Sequence, residues 1–338
     1  MNIESDKSLQ PFNTFGIDVS ARYFTEIQSV DEFNMLAAEP RFRHEKKLIL
    51  GGGSNILFTQ NFDGLVIRNA IRGIETVKED HANVWLKVSA GEPWHAFVLH
   101  CVNRNLAGIE NLSLIPGLTG AAPMQNIGAY GVEIKDCCET VEAVHILSGD
   151  MQVFSNTDCA FGYRESVFKH RLKDQFLITA VTFKLSRHFK PKIGYGDIRQ
   201  TLEDMRVNEI TLKAVSDAVI KIRSAKLPDP KVTGNAGSFF KNPVVPKKQF
   251  NALVAKNPLM PNYPLSGGEV KIPAGWLIEQ CGWKGKVVGH TGAHKSQALV
   301  LVNYGNATGK EIYDLALEIQ QSVREKFGIE IMPEVNLI

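Results

Sequence analysis

Residues 227–243, with the sequence LPDPKVTGNAGSFFKNP, constrain the fold more than any other part of this chain. Their three prolines and two glycines predict a rigid, irregular loop with little apolar content. The loop places one hydroxyl, Ser238, on a glycine-lined turn, with lysines close in sequence at positions 226, 231 and 241. Loops of this kind often hold reactive groups on a scaffold. The alternative is an ordinary surface loop with solvated lysines.

Length and composition are those of a globular protein with a sizeable core. The 338 residues exceed one average domain, so two or three domains are expected. Hydrophobic residues make up 44% and charged residues 22% of the chain. The formal net charge of +2 gives no strong basic field, which argues against a nucleic acid partner.

Cysteine usage and apolar patterning predict a cytoplasmic protein. The five cysteines show no CxxC spacing, so we expect reduced thiols rather than a disulfide framework or a zinc site. The first seven residues lack the apolar stretch of a secretory signal. No apolar run approaches the ~20 residues that span a bilayer, so no membrane insertion is expected.

Short apolar and β-branched runs predict strands through the first part and the middle of the chain. The expected strands are residues 47–50, 64–68, 85–88, 140–147 and 176–185, with a last strand at 331–338.

Helical periodicity and end signals predict four helices. Asp31 is expected to cap a short helix, and Pro93 to begin a second. An apolar stripe over residues 212–222 predicts a third helix, whose last turn carries Arg223 and Lys226 on one side. Thr308 begins a capping box that opens the fourth helix. Helices and strands in separable blocks indicate α+β domains.

A triple glycine directly after a predicted strand, in residues 50–57 (LGGGSNIL), suggests anion binding. Glycines permit close backbone approach, so several N–H groups can converge on a pyrophosphate. The segment matches neither a Rossmann fingerprint nor a P-loop. A plain strand-to-turn connection is the alternative.

Other candidate positions are weaker when each is taken alone. Residues 115–131 are rich in small residues, which suits a backbone lying against a planar ligand, but taken alone the segment favours the alternative, a tightly packed core crossing. Arg164 can clamp a carboxylate or pair with its neighbour Glu165. His290 and His294 are interpreted as loop histidines, with metal binding as the alternative.

In combination, these segments resemble the UDP-N-acetylenolpyruvoylglucosamine reductase family nearly from end to end. Each motif is weak by itself, but the set is highly specific. The matching segments are residues 13–16 (NTFG), 51–55 (GGGSN), 116–120 (PGLTG), 125–131 (QNIGAYG), 163–166 (YRES), 237–243 (GSFFKNP) and 333–335 (PEV).

The resemblance implies an α+β fold with a two-domain FAD-binding module of the vanillyl-alcohol oxidase type and a third, substrate-binding domain. The implied boundaries are 1–73 and 74–210 for the two FAD-binding subdomains and 211–338 for the substrate-binding domain, whose last strand returns to the active site. The same resemblance implies a function in peptidoglycan precursor synthesis, reduction of UDP-N-acetylenolpyruvoylglucosamine to UDP-N-acetylmuramate. NADPH is the implied reductant, and a monomer is expected.

The resemblance also implies residue roles. Ser238 is the proton donor, Arg164 stabilises an enolate-like species, and Glu334 hydrogen-bonds it or orients Arg164; the three are expected to converge over one face of the flavin. FAD is held without a covalent link, since residues 51–57 contain no histidine or cysteine. The implied cofactor-binding residues are Gly51, Gly52, Gly53, Ser54, Asn55, Pro116, Gly117, Thr119, Gly120, Gln125, Asn126, Gly128 and Ala129. The implied substrate-binding residues are Tyr130, Tyr195, Arg223, Lys226, Asn242 and Gln297.

Two rival interpretations accompany this one. A related FAD-dependent oxidase would use oxygen and would need no proton donor at Ser238. A nucleotide-binding module without catalysis would not need Arg164, Ser238 and Glu334 together.

Overall fold

The chain divides into two structural units in a computed structural model that describes residues 2–338. The first unit comprises the chain up to Lys7, Ala21–Gly53 and Phe62–Ala225. The second comprises Ser8–Ser20, Ser54–Asn61 and Lys226–Ile338. The three-domain boundaries expected at 73/74 and 210/211 stay a prediction.

Helices and mostly short strands are interspersed along the chain. The helices are α1 (Val30–Ala38), α2 (Trp94–Asn103), α3 (Ile198–Asp204), α4 (Leu212–Lys226), α5 (Lys247–Lys256), α6 (Ala274–Gln280) and α7 (Gly309–Phe327). The strands are β1 (Ile3–Ser8), β2 (Ser20–Ile27), β3 (Lys47–Leu50), β4 (Ile56–Leu57), β5 (Phe62–Asn69), β6 (Ile74–Glu79), β7 (Asn83–Ser89), β8 (Gly128–Ala129), β9 (Val132–Glu133), β10 (Cys138–His145), β11 (Met151–Ser155), β12 (Phe176–Ser186), β13 (Gly234–Asn235), β14 (Val244–Pro246), β15 (Tyr263–Pro264), β16 (Glu269–Lys271), β17 (Val287–Val288), β18 (Thr291–Ala293), β19 (Leu301–Asn303) and β20 (Asn336–Leu337).

The first unit contains a four-stranded sheet in the order β1-β2-β5-β3, in which β5 runs parallel to both β2 and β3. Three consecutive apolar residues in the centre of β5, Leu65, Val66 and Ile67, are fully buried, as is typical of a parallel strand that is covered on both faces. Helix α1 contributes Phe33 and Leu36 to the core beneath this sheet, where they join Leu65 and Ile67. The glycine loop of residues 51–53 therefore starts from a well-packed strand end.

A five-stranded antiparallel sheet, in the order β11-β10-β12-β7-β6, forms the other sheet core of the first unit. Helix α2 packs on it through the predicted apolar stripe, which includes Trp94 and Phe97. Helices α3 and α4 bury a smaller apolar cluster that contains Ile198, Val219 and Ile222. The predicted stripe of α4 is confirmed.

The second unit collects three small sheets around α6 and α7. Their orders are β13-β19-β18-β17, β14-β16-β15 and β20-β4, the last of them parallel. Phe15 and Leu57, far from this region in sequence, lie in the same core as the apolar face of α7. Helix α7 begins at the predicted capping box, with Glu311 N–H donating to the Thr308 hydroxyl and the Glu311 carboxylate accepting from Thr308 N–H.

Two local predictions are wrong. Ser29, not Asp31, caps α1: its hydroxyl accepts from Glu32 N–H, and the Glu32 carboxylate accepts from Gln28 N–H. Residues 331–338 do not form one continuous strand, because Pro333 cannot donate to a ladder; pairing is limited to a bridge at Pro333 and the short β20.

Candidate active site

In the first unit, the triple-glycine loop lies directly against the segment that begins at Pro116. A Cβ added to Gly52 would lie 3.0 Å from the Gly117 Cα, a backbone atom that cannot rotate away. Gly53 has a φ of +60°, which also favours glycine. Because both loops consist of backbone at the contact, their N–H groups can approach a ligand closely. This arrangement fits a dinucleotide pyrophosphate.

The segment that follows Gly117 is fixed by hydrogen bonds to the turn before α2. Thr119 is fully buried, and both its N–H and its hydroxyl donate to the Glu92 carbonyl, at 2.8 and 3.1 Å. Gly120 N–H donates to the Ala90 carbonyl at 2.9 Å. The segment is therefore rigid, as a wall for a planar ligand must be.

Asn126, another predicted cofactor residue, has both polar atoms of its side chain engaged within the protein. It is fully buried and left-handed, with a φ of +44°. Its amide donates to Glu133 Oε2 at 3.1 Å and to the Gly162 carbonyl at 2.9 Å, and its oxygen accepts from Lys135 N–H at 3.1 Å. The side chain shapes the loop, so only its backbone is available to a ligand.

Arg164 sits on a tight turn and is anchored to the same loop. Its φ is +57°, and its Nη2 donates to the Gly128 carbonyl at 2.7 Å. The guanidinium carbon lies 5.5 Å from the centre of the Tyr163 ring. The next turn is held by Ser166, whose hydroxyl donates to the Met124 carbonyl at 2.7 Å. The guanidinium therefore has a defined place beside residues 124–128.

The turn of Tyr130 and the loop of Tyr195 pack against each other, each at the glycine that follows the tyrosine of the other. A Cβ added to Gly131 would lie 3.3 Å from the Tyr195 Cβ, and one added to Gly196 would lie 3.4 Å from the Tyr130 ring. Both glycines have positive φ. The loop that carries Tyr195 is therefore seated on the predicted substrate-binding turn at Tyr130.

Asn111 ties these two segments together. Its side-chain nitrogen donates to the Tyr130 carbonyl at 2.9 Å and to the Lys192 carbonyl at 2.8 Å. The residue is fully buried. One amide group thus sets the spacing between the Tyr130 turn and the start of the Tyr195 loop.

Arg223, in the last turn of α4, shares its electrostatic surroundings with two of these residues. Its Nε donates to the Leu114 carbonyl at 3.3 Å. Burial lowers the pKa of the Arg223 guanidinium. The nearby Tyr130 raises this pKa, and the positive charge of Arg164 lowers it further. The structure therefore brings together Tyr130, Arg164 and Arg223, three predicted site residues from separate parts of the sequence.

In the second unit, the segment of Ser238 pairs with the segment of Glu334. Glu334 N–H donates to the Phe239 carbonyl at 2.8 Å, and Lys241 N–H donates to the Met332 carbonyl at 2.8 Å. The two predicted catalytic residues, almost a hundred positions apart, thus lie on neighbouring stretches of backbone. The meeting of this pair with Arg164 stays a prediction.

Local contacts hold both ends of this pairing. Gly237, with a φ of +68°, donates its N–H to Asn235 Oδ1 at 2.9 Å and so turns the chain ahead of Ser238. On the other side, Asn55 Nδ2 donates to the Glu334 carbonyl at 3.3 Å. Asn336 N–H donates to the Asn55 carbonyl at 3.1 Å. Asn55, predicted to bind the cofactor, therefore also supports Glu334.

Three more predicted substrate residues belong to the second unit. Asn242 Oδ1 accepts from Ala274 N–H at 2.9 Å at the start of α6, which fixes the direction of its amide nitrogen. Gln297 lies over the same turn, because a Cβ on Gly275 would stand 3.0 Å from its Oε1. Asn242 and Gln297 are therefore brought to one place, while Lys226 is exposed at the end of α4.

Comparison with known proteins identifies the family. A model described as an FAD binding domain matches residues 21–155, and one for the C-terminal domain of UDP-N-acetylenolpyruvoylglucosamine reductase matches residues 229–338. The chain is 52% identical to the UDP-N-acetylenolpyruvoylglucosamine reductase of Flavobacterium johnsoniae, over 100% of both chains. The chain belongs to the UDP-N-acetylenolpyruvoylglucosamine reductase family.

Further relatives agree with this family. The reductase of the same name from Chromobacterium violaceum is 50% identical, over 99% of this chain and 98% of the relative. The crystal structure of the reductase from Thermus caldophilus has a TM-score of 0.69 at 24% identity, over 100% of this chain and 99% of the other. At that identity the likeness shows the fold.

Membership of the reductase family confirms the predicted enzyme class, an FAD-dependent oxidoreductase. It also confirms the predicted fold class, an α+β FAD-binding module followed by a C-terminal α+β domain. The residues present fit the cofactor, because the contact of Gly52 with Gly117 leaves no room for a side chain where backbone must face a pyrophosphate.

Two other findings bear on this family member. Among residues 2–338, no group of three or more metal-ligating side chains is found, and His290 instead lies 3.4 Å from Glu311 Oε1. No helix in that same range is long and apolar enough to cross a membrane.

Sequence reasoning missed a residue that positions the site. Asn111 belongs to none of the motifs that carry the family resemblance. Its hydrogen bonds run to the carbonyls of Tyr130 and Lys192, 19 and 81 positions along the chain, so a single sequence contains no signal for it.

Proposed function

We propose that this protein reduces the enolpyruvyl group of UDP-N-acetylenolpyruvoylglucosamine to give UDP-N-acetylmuramate, a cytoplasmic step of peptidoglycan precursor synthesis with NADPH as the reductant. Full-length relatives at 52% and 50% identity are named for the reduction of this compound. The structural observation that carries the proposal is the backbone pairing of the Ser238 and Glu334 segments. Proton delivery by a weak acid requires this kind of fixed placement.

The glycine loops hold the cofactor in this proposal. Backbone N–H groups of residues 51–55 bind the pyrophosphate of FAD, and residues 116–129 lie along its flavin. Support comes from the Gly52–Gly117 contact and from the hydrogen bonds that make the second loop rigid. The cofactor is bound non-covalently, since residues 51–57 offer no histidine or cysteine.

The reaction needs charge stabilisation and one proton from the protein. When bound and reduced by NADPH, FAD supplies a hydride to the outer carbon of the enolpyruvyl double bond. Arg164, always cationic, stabilises the negative charge that spreads from the inner carbon into the attached carboxylate. The Ser238 hydroxyl donates its proton to the inner carbon and is reprotonated by solvent. Glu334 assists from the backbone stretch beside Ser238.

Cations and amides bind the rest of the substrate. Arg223 and Lys226 bind the diphosphate, because a guanidinium and an ammonium both bind phosphate oxygens well. Asn242 and Gln297 supply polar contacts from the turn they share at α6. Tyr130 and Tyr195 close over the substrate from their common glycine contact.

An anaerobic two-step experiment tests this function. Purified protein should carry bound flavin, NADPH should bleach its absorbance, and UDP-N-acetylenolpyruvoylglucosamine should restore it. If only oxygen restores the absorbance, the protein is an oxidase and the proposal is wrong. A colourless protein that takes up no FAD would exclude both the oxidase and the proposed reductase.

The variant S238A separates the two half-reactions. Bleaching by NADPH should continue at the normal rate, while reoxidation by the substrate should slow by at least ~10²-fold. S322A, which removes an exposed hydroxyl on α7, is the matched control and should leave both rates unchanged. Equal slowing of both steps in S238A would contradict the assignment of Ser238 as proton donor.

A further inference from the structure

The backbone of Leu114 is held from two sides by ionisable side chains. Its N–H donates to His95 Nδ1 at 3.0 Å, and its carbonyl accepts from Arg223 Nε at 3.3 Å. Leu114 has a φ of +59°, which a leucine adopts only when its surroundings impose it. His95 and Arg223 are therefore linked through the backbone of one strained residue, Leu114.

Side chains of α2 and α4 also form hydrogen bonds with the two residues before Leu114, Leu112 and Ser113. The Trp94 indole N–H on α2 donates to the Leu112 carbonyl at 3.0 Å. The hydroxyls of Ser113 and of Ser216 on α4 lie 2.8 Å apart, and both residues are fully buried. The His95 contact thus belongs to a set that fixes residues 112–114 between the two helices.

The His95 hydrogen bond defines the protonation state of the ring. Nδ1 accepts from an N–H group, so the ring proton must be on Nε2 and the imidazole must be neutral. Protonation would turn Nδ1 into a donor facing another donor. It would also place a second cation close to Arg223.

The surroundings of His95 favour the neutral ring. Burial and then the positive charge of Arg223 lower the pKa of His95 below its ordinary value. The pKa of Arg223 is in turn lowered by burial, raised by Tyr130 and lowered by the charge of Arg164. Glu92, the carboxylate just ahead of α2, is engaged by Gly73 N–H at 2.8 Å and by Arg72.

We propose that His95 is a positioning residue for the substrate: as a neutral acceptor it holds the backbone of Leu114, and the carbonyl of that residue positions the guanidinium of Arg223 that binds the substrate diphosphate. This inference rests on the proposed function of Arg223. It gives substrate binding a sensitivity to acid, because a protonated His95 releases Leu114 and repels Arg223. The loss of substrate affinity is expected at pH values below the ordinary histidine pKa of ~6.5.

Two substitutions at position 95 separate its hydrogen bond from its volume. H95F keeps a planar ring but has no acceptor. H95N keeps an acceptor close to the place of Nδ1 but does not titrate in this range. H100F is the matched control, because His100 is on the same helix and contacts Arg104 instead.

The experiment measures the dissociation constant of UDP-N-acetylenolpyruvoylglucosamine for the FAD-loaded enzyme by calorimetry, together with KM and kcat, from pH 5 to 8. In H95F, the dissociation constant and KM should rise about fivefold at pH 8 with little change in kcat. As the pH falls toward 5, the dissociation constant of the wild-type enzyme should rise toward that of H95F. The dissociation constant of H95N should stay, at every pH, near the value that the wild-type enzyme has at pH 8. H100F should follow wild type.

Clear outcomes overturn the proposal. Wild-type affinity in H95F at pH 8, or an unchanged acid dependence in H95N, would exclude a positioning role for His95. If H95F binds no FAD, the comparison of H95N with wild type decides alone. R223Q tests the underlying assumption: if it leaves substrate affinity unchanged, Arg223 does not bind substrate, and the proposed function of Arg223 fails independently of His95.

Discussion

Arg164 donates a hydrogen bond from Nη2 to the carbonyl of Gly128 at 2.7 Å, across 36 positions of the sequence. Gly128 has room for this contact only because it lacks a side chain: an added Cβ would lie 3.2 Å from Arg164 Nη1 and 2.7 Å from Glu133 Cγ. The loop proposed to line the cofactor therefore also aims the guanidinium proposed to stabilise charge on the substrate.

The variant R164K tests whether the guanidinium geometry is needed in addition to its charge. A lysine keeps the charge but cannot donate to Gly128 with one nitrogen while presenting another to a carboxylate. Reoxidation of the reduced enzyme by substrate should slow by about 10- to 100-fold in stopped-flow experiments. R171K, at an exposed arginine, is the control; an R164K rate within twofold of wild type would show that charge alone suffices.

The variant G52A tests the contact between the two glycine loops. Its new methyl group would press on the Gly117 backbone, so FAD affinity should fall by about tenfold or more, measured by fluorescence on titration of the apoprotein. G51A adds the same methyl where the nearest atoms are 3.9 Å away. The loss of FAD affinity in G51A should be clearly smaller than in G52A. Equal losses would show that the contact with Gly117 does not determine FAD binding.

The variant N111D tests the bond between the Tyr130 turn and the Tyr195 loop. A carboxylate would replace a buried amide that donates to two carbonyl oxygens, which leaves both acceptors unpaired and buries a charge. The free energy of unfolding should fall by about 2–4 kcal/mol in urea titrations. N251D, on the exposed face of α5, should change it by less than about 0.5 kcal/mol; a similar small change in N111D would contradict the assigned role.

Thiol reactivity should follow burial. Burial raises the pKa of Cys159 to about 12, and it also raises the pKa of Cys101, Cys137 and Cys138. Since only a thiolate reacts rapidly, Ellman's reagent should label these four cysteines only after unfolding. Cys281, which is partly exposed, should react first. Rapid labelling of more than one thiol in the native protein would contradict this expectation.

Local sequence signals predicted many elements because their causes are local. The stripe of α4, the capping box at Thr308 and the strand before the glycine loop all depend on residues within a few positions of each other. The errors had local causes too. Ser29 competes with Asp31 as the cap of α1: its hydroxyl accepts from Glu32 N–H, while the Glu32 carboxylate accepts from Gln28 N–H.

The candidate site was only partly predictable. Motif combinations indicated Arg164, Ser238 and Glu334, but no spacing rule places Glu334 beside Phe239 or Asn55 beneath Glu334. His95 and Asn111 were missed because each acts on a distant backbone group. A hydrogen bond to a backbone atom does not depend on the residue type that carries that atom, so it leaves no recognisable pattern in the sequence.

The sequence alone determined the family, the enzyme class and the chemical types available to the site, because residue identity sets charge, acidity and backbone freedom. Tertiary structure decided which of those groups meet. Hydrogen bonds such as Leu114 to His95 and Asn111 to Lys192 form only after sheets and helices have packed, since packing alone brings their partners within 3.0 Å.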